Sequence, residues 1–158
     1  MFWQRRNPDR LRFDIDNIKI ERAEENIDKK PVLLRIKDLG IELPIYEAEI
    51  KDNNKWPTTT EGISYLVSSP IPGEIGNSIL YGHNWANLLG NLTKAKPGQI
   101  VEIIFSDWSR KIFTIANTQV VSPSQTEILK NSDDTKLTLY TCTGFLDSKR
   151  FVVTAKLK

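Results

Sequence analysis

Cysteine is nearly missing from this sequence: Cys142 stands alone among 158 residues, so no internal disulfide can form. Histidine is as scarce, with His83 alone, and one His beside one Cys makes no convincing zinc set. No apolar run approaches the roughly 18 residues that cross a bilayer. The start, Met1-Phe2-Trp3-Gln4-Arg5-Arg6, also lacks the apolar middle of a signal peptide, so the chain is expected to be soluble as written. Charge of one sign is not in excess: 22 basic residues face 20 acidic ones, for a formal +2. No block of like charges marks a nucleic-acid tail, so nucleic acid is not an expected partner. Neither a Gly-x-Gly-x-x-Gly nor a Walker loop occurs, and Gly-x-Ser-x-Gly is absent too. No cofactor and no metal site are expected from these residues.

What is there fits one globular domain, since 39% hydrophobic and 27% charged residues in 158 can bury a single core. Residues 1 to 31 hold eight basic and seven acidic side chains around scattered apolar ones, without a sustained period. This polar arm is expected to be solvated, partly helical or flexible, with one short helix near Ile20 to Ile27. From residue 32 to residue 158 the texture becomes that of short strands. Val32 to Ile36 and Ile41 to Tyr46 flank a turn at Asp38-Leu39-Gly40, and Asn77 to Tyr81 reads as a buried strand after a Pro- and Gly-rich loop. Trp85 to Leu92 has the apolar spacing of a short helix, and Gln99 to Phe105 is rich in β-branched residues. Arg110 to Val121, Lys136 to Cys142 and Arg150 to Leu157 complete seven or eight strands. With no 10 to 15 residue helical pattern between them, an all-β closed barrel or a sandwich is expected rather than a parallel βαβ sheet.

Three residues carry most of the chemical potential. A lone cysteine is more often a small buried hydrophobe than a nucleophile, and a lone histidine more often structural. Context shifts that balance. Cys142 ends the strand Lys136 to Cys142 and runs into Thr143-Gly144, a place where reactive groups are exposed on a rigid frame. Strand parity sets Thr138, Tyr140 and Cys142 on one face and Leu137, Leu139 and Thr141 on the other. His83 likewise follows an apolar strand and a glycine, and Arg150 opens the last strand. A thiol with an ordinary pKa of about 8.5 needs a neighbouring histidine or cation to supply thiolate near neutral pH, and acyl transfer needs a donor where the carbonyl oxygen gains charge. Cys142, His83 and Arg150 are the right types for those roles.

Thr138-Leu139-Tyr140-Thr141-Cys142 resembles the Thr-Leu-x-Thr-Cys signature of sortases, and Arg150-Phe151-Val152-Val153 resembles the Arg-led strand that follows it. Pro72-Gly73-Glu74-Ile75-Gly76-Asn77 with Tyr81-Gly82-His83 is similar to the segments that carry the family's histidine. The resemblance, in order from about Leu33 to Leu157, implies an eight-stranded β-barrel with one or two short helices. It implies a cysteine transpeptidase that cuts a Leu-Pro-x-Thr-Gly-like signal of surface or pilin proteins between Thr and Gly. The acyl group would pass to an amine acceptor, a cell-wall precursor or pilin lysine, at the outer face of a Gram-positive-type cell membrane. By the same resemblance Cys142 is the nucleophile, His83 the proton carrier and Arg150 the oxyanion and peptide donor, while Thr141, with Tyr140 and Asn84, contacts the substrate. The membrane anchor of such enzymes is not in this chain. The short interval from Cys142 to Arg150, with Trp56, Tyr65 and Gly82-His83-Asn84, is closer in texture to the class D, E or F groups.

Two other readings fit the same residues. A hydrolytic cysteine peptidase would use the same Cys/His pair with water as the acceptor. A noncatalytic peptide-binding barrel would leave Cys142 as packing. Within the domain, the polar segment from Ser122 to Thr135 is expected to line the peptide groove as a short helix or a mobile wall.

Overall fold

The computed structural model describes residues 10–15, 29–52 and 54–158. Eight strands form one closed barrel: β1 (Pro31–Ile36), β2 (Ile41–Ala48), β3 (Ile63–Leu66), β4 (Gly76–Tyr81), β5 (Ile100–Phe105), β6 (Arg110–Val121), β7 (Thr135–Thr143) and β8 (Lys149–Leu157). Their order around the barrel is β1-β2-β3-β4-β7-β8-β6-β5. Closure leaves no unpaired edge to recruit another chain. The β2–β3 and β4–β7 pairs are parallel and the others antiparallel. Sequence patterning thus located the all-β class, and the closed alternative is the one adopted.

The core has two parts, one on each side of β7. Leu137 and Leu139 point into the larger cluster with Leu34, Ile36, Ile103, Phe113 and Val153. Tyr140 and Cys142 belong to a second cluster with Leu11, Phe13, Trp56, Leu66, Tyr81 and Val152. Both faces of β7 are therefore buried, and the alternation read from its sequence separates two apolar environments rather than core from solvent.

Three local expectations are corrected. The short helix expected over Trp85 to Leu92 is a run of turns closed by a 3-10 turn at Gly90–Lys94. Leu88 and Gly90 both donate to the Trp85 carbonyl, so the chain folds back there. A Cβ at position 90 would lie 2.8 Å from that same oxygen, so the return depends on glycine. Strand β3 was not visible in the polar stretch after Trp56, because it is only four residues long and all four are buried. The solvated arm is the third correction: Leu11 and Phe13 are fully buried, because their apolar side chains find a pocket among aromatic residues far away in sequence. The helix expected near Ile20 to Ile27 lies outside the described residues.

Candidate functional site

Three neighbouring strands bring Cys142, His83 and Arg150 to one end of the barrel. β4 and β7 run parallel with Tyr81 beside Tyr140, and beyond that pair Gly82 N–H donates to the Tyr140 carbonyl at 3.2 Å. The Thr141 hydroxyl returns a bond to the Gly82 carbonyl at 2.7 Å. These two bonds extend the register past the end of β4, so His83 leaves the strand alongside Cys142. On the other side β7 pairs with β8, and Cys142 is the direct partner of Arg150. Pairing therefore brings together residues 59 and 8 positions away from Cys142, as counted from the sequence.

The site is closed. Cys142 is 4% exposed, His83 4% and Arg150 3%. Burial pushes the Cys142 thiol up from its ordinary value to about 12, the Asp147 charge adds to that, and Arg150 and Arg10 pull the other way. Burial also lowers the His83 pKa, partly offset by the Asp147 charge. Its ring stacks on Trp85 with centroids 5.0 Å apart and planes 15° apart, and its Nε2 is buried with no hydrogen-bond partner among the described residues. The Arg150 Nε is in the same condition. Buried donors and acceptors are normally satisfied, so these two atoms are exceptions.

Arg150 is held by its surroundings as a rigid fork. Its Nη1 donates to the carbonyls of Asp147 at 3.0 Å and Lys149 at 3.2 Å, and its Nη2 donates to the carbonyl of Arg12 at 3.0 Å. The β7–β8 loop that helps it has an unusual backbone, with Leu146 and Asp147 both in the left-handed region at φ 52° and 58°. That conformation costs of order 1 kcal/mol or more per residue. It leaves Phe145 and Leu146 exposed while the Asp147 carboxylate accepts from Asn84 Nδ2 at 3.0 Å and pairs with Arg10.

Over Cys142 and Arg150 lies the described part of the arm, Arg10 to Ile15. The Cys142 thiol donates to the Arg10 carbonyl at 2.9 Å, and the Tyr140 hydroxyl to the Leu11 carbonyl at 2.5 Å. With Arg150 on the Arg12 carbonyl and Asn54 Nδ2 on the Phe13 carbonyl at 2.6 Å, four successive carbonyls of the arm are read by the barrel. The Phe13 ring meets Tyr140 edge-on at 4.9 Å and Trp56 at 6.1 Å, with the Arg150 guanidinium 6.0 Å from its centre.

Of the residues expected to contact substrate, Tyr140 does touch this groove through its hydroxyl. Asn84 lies beneath it, donating to the Cys142 carbonyl at 3.2 Å as well as to Asp147, so its place is to brace the strand end. Thr141 faces away from the thiol, and its hydroxyl ties β7 to β4. Sequence reasoning missed Asp147, Asn54 and the arm itself. The alternation Leu11-x-Phe13 was the available signal, but two apolar residues are too few to establish a period.

The barrel matches known proteins. A family model described as the sortase domain covers residues 34–158. The chain belongs to the sortase family, whose members are cysteine transpeptidases. It is 26% identical over 143 residues to Sortase A of Bacillus anthracis, covering 87% of this chain and 65% of that protein. The chain thus spans just under two thirds of this curated relative. Among solved structures, sortase C-1 from Actinomyces oris is similar at 27% identity and a TM-score of 0.70, over 84% of this chain and 77% of that one. The Clostridium perfringens Sortase D5 transpeptidase gives 26% and 0.67, over 82% and 79%. Relatives named A, C and D stand at nearly equal identity.

Proposed function

We propose that this chain is a sortase-type cysteine transpeptidase in which Cys142, His83 and Arg150 react. The observation that carries the reading is that β4, β7 and β8 deliver the three side chains to one strand end, with Arg150 and the Cys142 thiol already donating to peptide carbonyls. A bound sorting peptide would take the arm's place. The Cys142 thiol passes its proton to His83, and the thiolate so formed attacks the threonine carbonyl carbon of a Leu-Pro-x-Thr-Gly-like signal. The Thr–Gly bond breaks, His83 gives a proton to the leaving amine, and a thioester remains on Cys142. An incoming amine then attacks that carbonyl, His83 takes its proton, and the thiolate leaves. Arg150 steadies the oxyanion in both steps through directed N–H donors, for which its unpartnered Nε is suited. The acceptor would be a cell-wall precursor or a pilin lysine, at the outer face of the cell membrane.

The test is incubation with peptides carrying Leu-Pro-x-Thr-Gly-like signals and a set of amines, read by mass spectrometry. A thioacyl adduct on Cys142 and amide-linked products are expected. Only the free acid, whatever amine is supplied, would make the chain a hydrolytic peptidase. No adduct once Cys142 is accessible would leave a noncatalytic binding barrel.

A further inference from the structure

Far from the thiol, three half-buried charged side chains line one cavity of about 200 Å³: Lys29 just before β1, Glu74 in the loop before β4, and Lys111 near the start of β6. Ile71, Pro72 and Phe105 give it an apolar wall. Strand β6 leads from here to Val121, the partner of Arg150, so about 30 Å of strand separates the cavity from the catalytic end. None of the three charges has an opposite charge within ion-pair distance among the described residues. Glu74 Oε1 is moreover buried without a hydrogen-bond donor.

Each of the three is held where it is. The Lys29 ammonium sits 4.6 Å from the centre of the Phe105 ring, a cation–π contact. Asp107 lies near enough to feel that charge, but its carboxylate is taken by the amide and hydroxyl of Ser109. The stem of Lys111 lies across Gly73, where a Cβ would come within 2.9 Å of it and where a φ of 103° also favours glycine. The Glu74 amide donates to the Ile71 carbonyl at 3.0 Å and closes the turn that carries the carboxylate.

Two cations and a buried carboxylate oxygen that share a cavity without pairing suit a guest that carries both signs. A carboxylate alone would leave Glu74 Oε1 without a donor, and an amine alone would face two ammonium groups. The apolar wall favours a hydrocarbon side chain, and a volume below the usual range of about 300–1,000 Å³ for ligand pockets limits the guest to few atoms. We infer that this cavity binds a small apolar α-amino acid as its zwitterion, with its carboxylate between Lys29 and Lys111, its ammonium donating to Glu74 Oε1, and its side chain against Ile71 and Pro72. The site stands apart from Cys142, His83 and Arg150 and does not depend on the transpeptidase reading.

The test titrates the whole chain with L-leucine at pH 7 and follows the backbone amides by NMR. Saturable shifts of the Gly73, Glu74 and Ser106 amides are expected, with a Kd of order 1 mM for so small a ligand. No saturation by about 50 mM leucine would overturn the site, and so would shifts confined to the amides around Cys142. Isocaproate, which lacks the ammonium, and leucinamide, which lacks the carboxylate, should each bind at least about tenfold more weakly, because a buried charged partner is then left unpaired. Isocaproate binding as well as leucine would refute the part given to Glu74, and leucinamide doing so would refute the part given to the lysines. Glu74→Gln keeps the shape and removes the charge, and Lys29→Met with Lys111→Met keeps the stems and removes the ammoniums. Both variants should weaken leucine about tenfold with cooperative melting retained. Unchanged affinity in both would overturn the assignment, and if a variant does not fold, the two analogues on the parent chain decide it.

Discussion

At the scale of single residues, the arrangement around Arg150 separates a field from a directed donor. Its two terminal nitrogens bind three backbone carbonyls from one planar guanidinium, which an ammonium cannot copy. Arg150→Lys is therefore expected to acylate almost as poorly as Arg150→Ala, with a loss of about 10²–10³ in rate, as for other oxyanion donors. Recovery to near the parent rate by lysine, in a single-turnover acylation measurement, would assign Arg150 a purely electrostatic part. The thiol gives a second expectation. Its pKa is raised by burial to about 12, so the folded form holds the proton where the unfolded form has lost it. Stability from this group is complete below pH 9 and declines as pH rises from there toward 12. Urea titrations of the parent and Cys142→Ala at pH 8 and pH 10.5 should show the parent losing stability relative to the variant at the higher pH. A constant difference would mean that the thiol does not stay buried with its proton.

At the scale of elements, the segment between β6 and β7 is better anchored than its polar composition suggested. It carries a 3-10 turn at Thr126–Leu129, one of the two forms expected, and Asn77 at the start of β4 fastens it. The buried Asn77 amide donates to the carbonyls of Ile128 at 2.8 Å and Lys130 at 3.0 Å, and its oxygen accepts from Thr138 at 2.6 Å. Next to it Gly76, at φ 121°, would place a Cβ only 2.5 Å from Asn131 Oδ1, so the close approach of loop and strand depends on glycine. Asn77→Ala should destabilise the fold by about 2–3 kcal/mol, because it strips partners from buried groups and leaves them unsatisfied. A loss below about 0.5 kcal/mol in chemical denaturation would show that water replaces the amide. Exchanging residues 122–135 for the segment of a sortase with another signal should change peptide preference more than kcat on the best peptide. Unaltered preference would move signal reading to other parts of the groove.

At the scale of the molecule, the balance holding the arm is small. Burying Leu11 and Phe13 contributes about 3–6 kcal/mol. Four hydrogen bonds to the arm's carbonyls, from Arg10 to Phe13, add about 1 kcal/mol each. Ordering six residues opposes this by about 1–2 kcal/mol apiece. The sum lies within a few kcal/mol of zero, which suits a segment that must give way. Deleting residues 1–15 should therefore leave a folded barrel with Tm lower by no more than about 10 °C, at roughly 2–4 °C per kcal/mol for a domain of this size. Loss of cooperative melting would make the arm part of the folding core.

Local patterning alone determined the β-rich class and most strand positions, and it singled out three candidate residues, because strand periodicity and strand-end chemistry are written in neighbouring residues. β6 runs over Arg110–Val121 as read from its sequence, β7 is longer than expected by one residue at each end, and β8 by one residue at its start. Only the tertiary structure decided that β4, β7 and β8 are adjacent, because pairing between Tyr81 and Tyr140 is a long-range contact that no local propensity encodes. The same holds for the arm. Leu11 and Phe13 look like stray apolar residues in a charged stretch, and their burial depends on Trp56, Tyr81 and Tyr140, which the fold gathers from three separate parts of the chain. Whether a polar stretch is solvated is settled by the surface it meets, and that surface exists only once the barrel has closed.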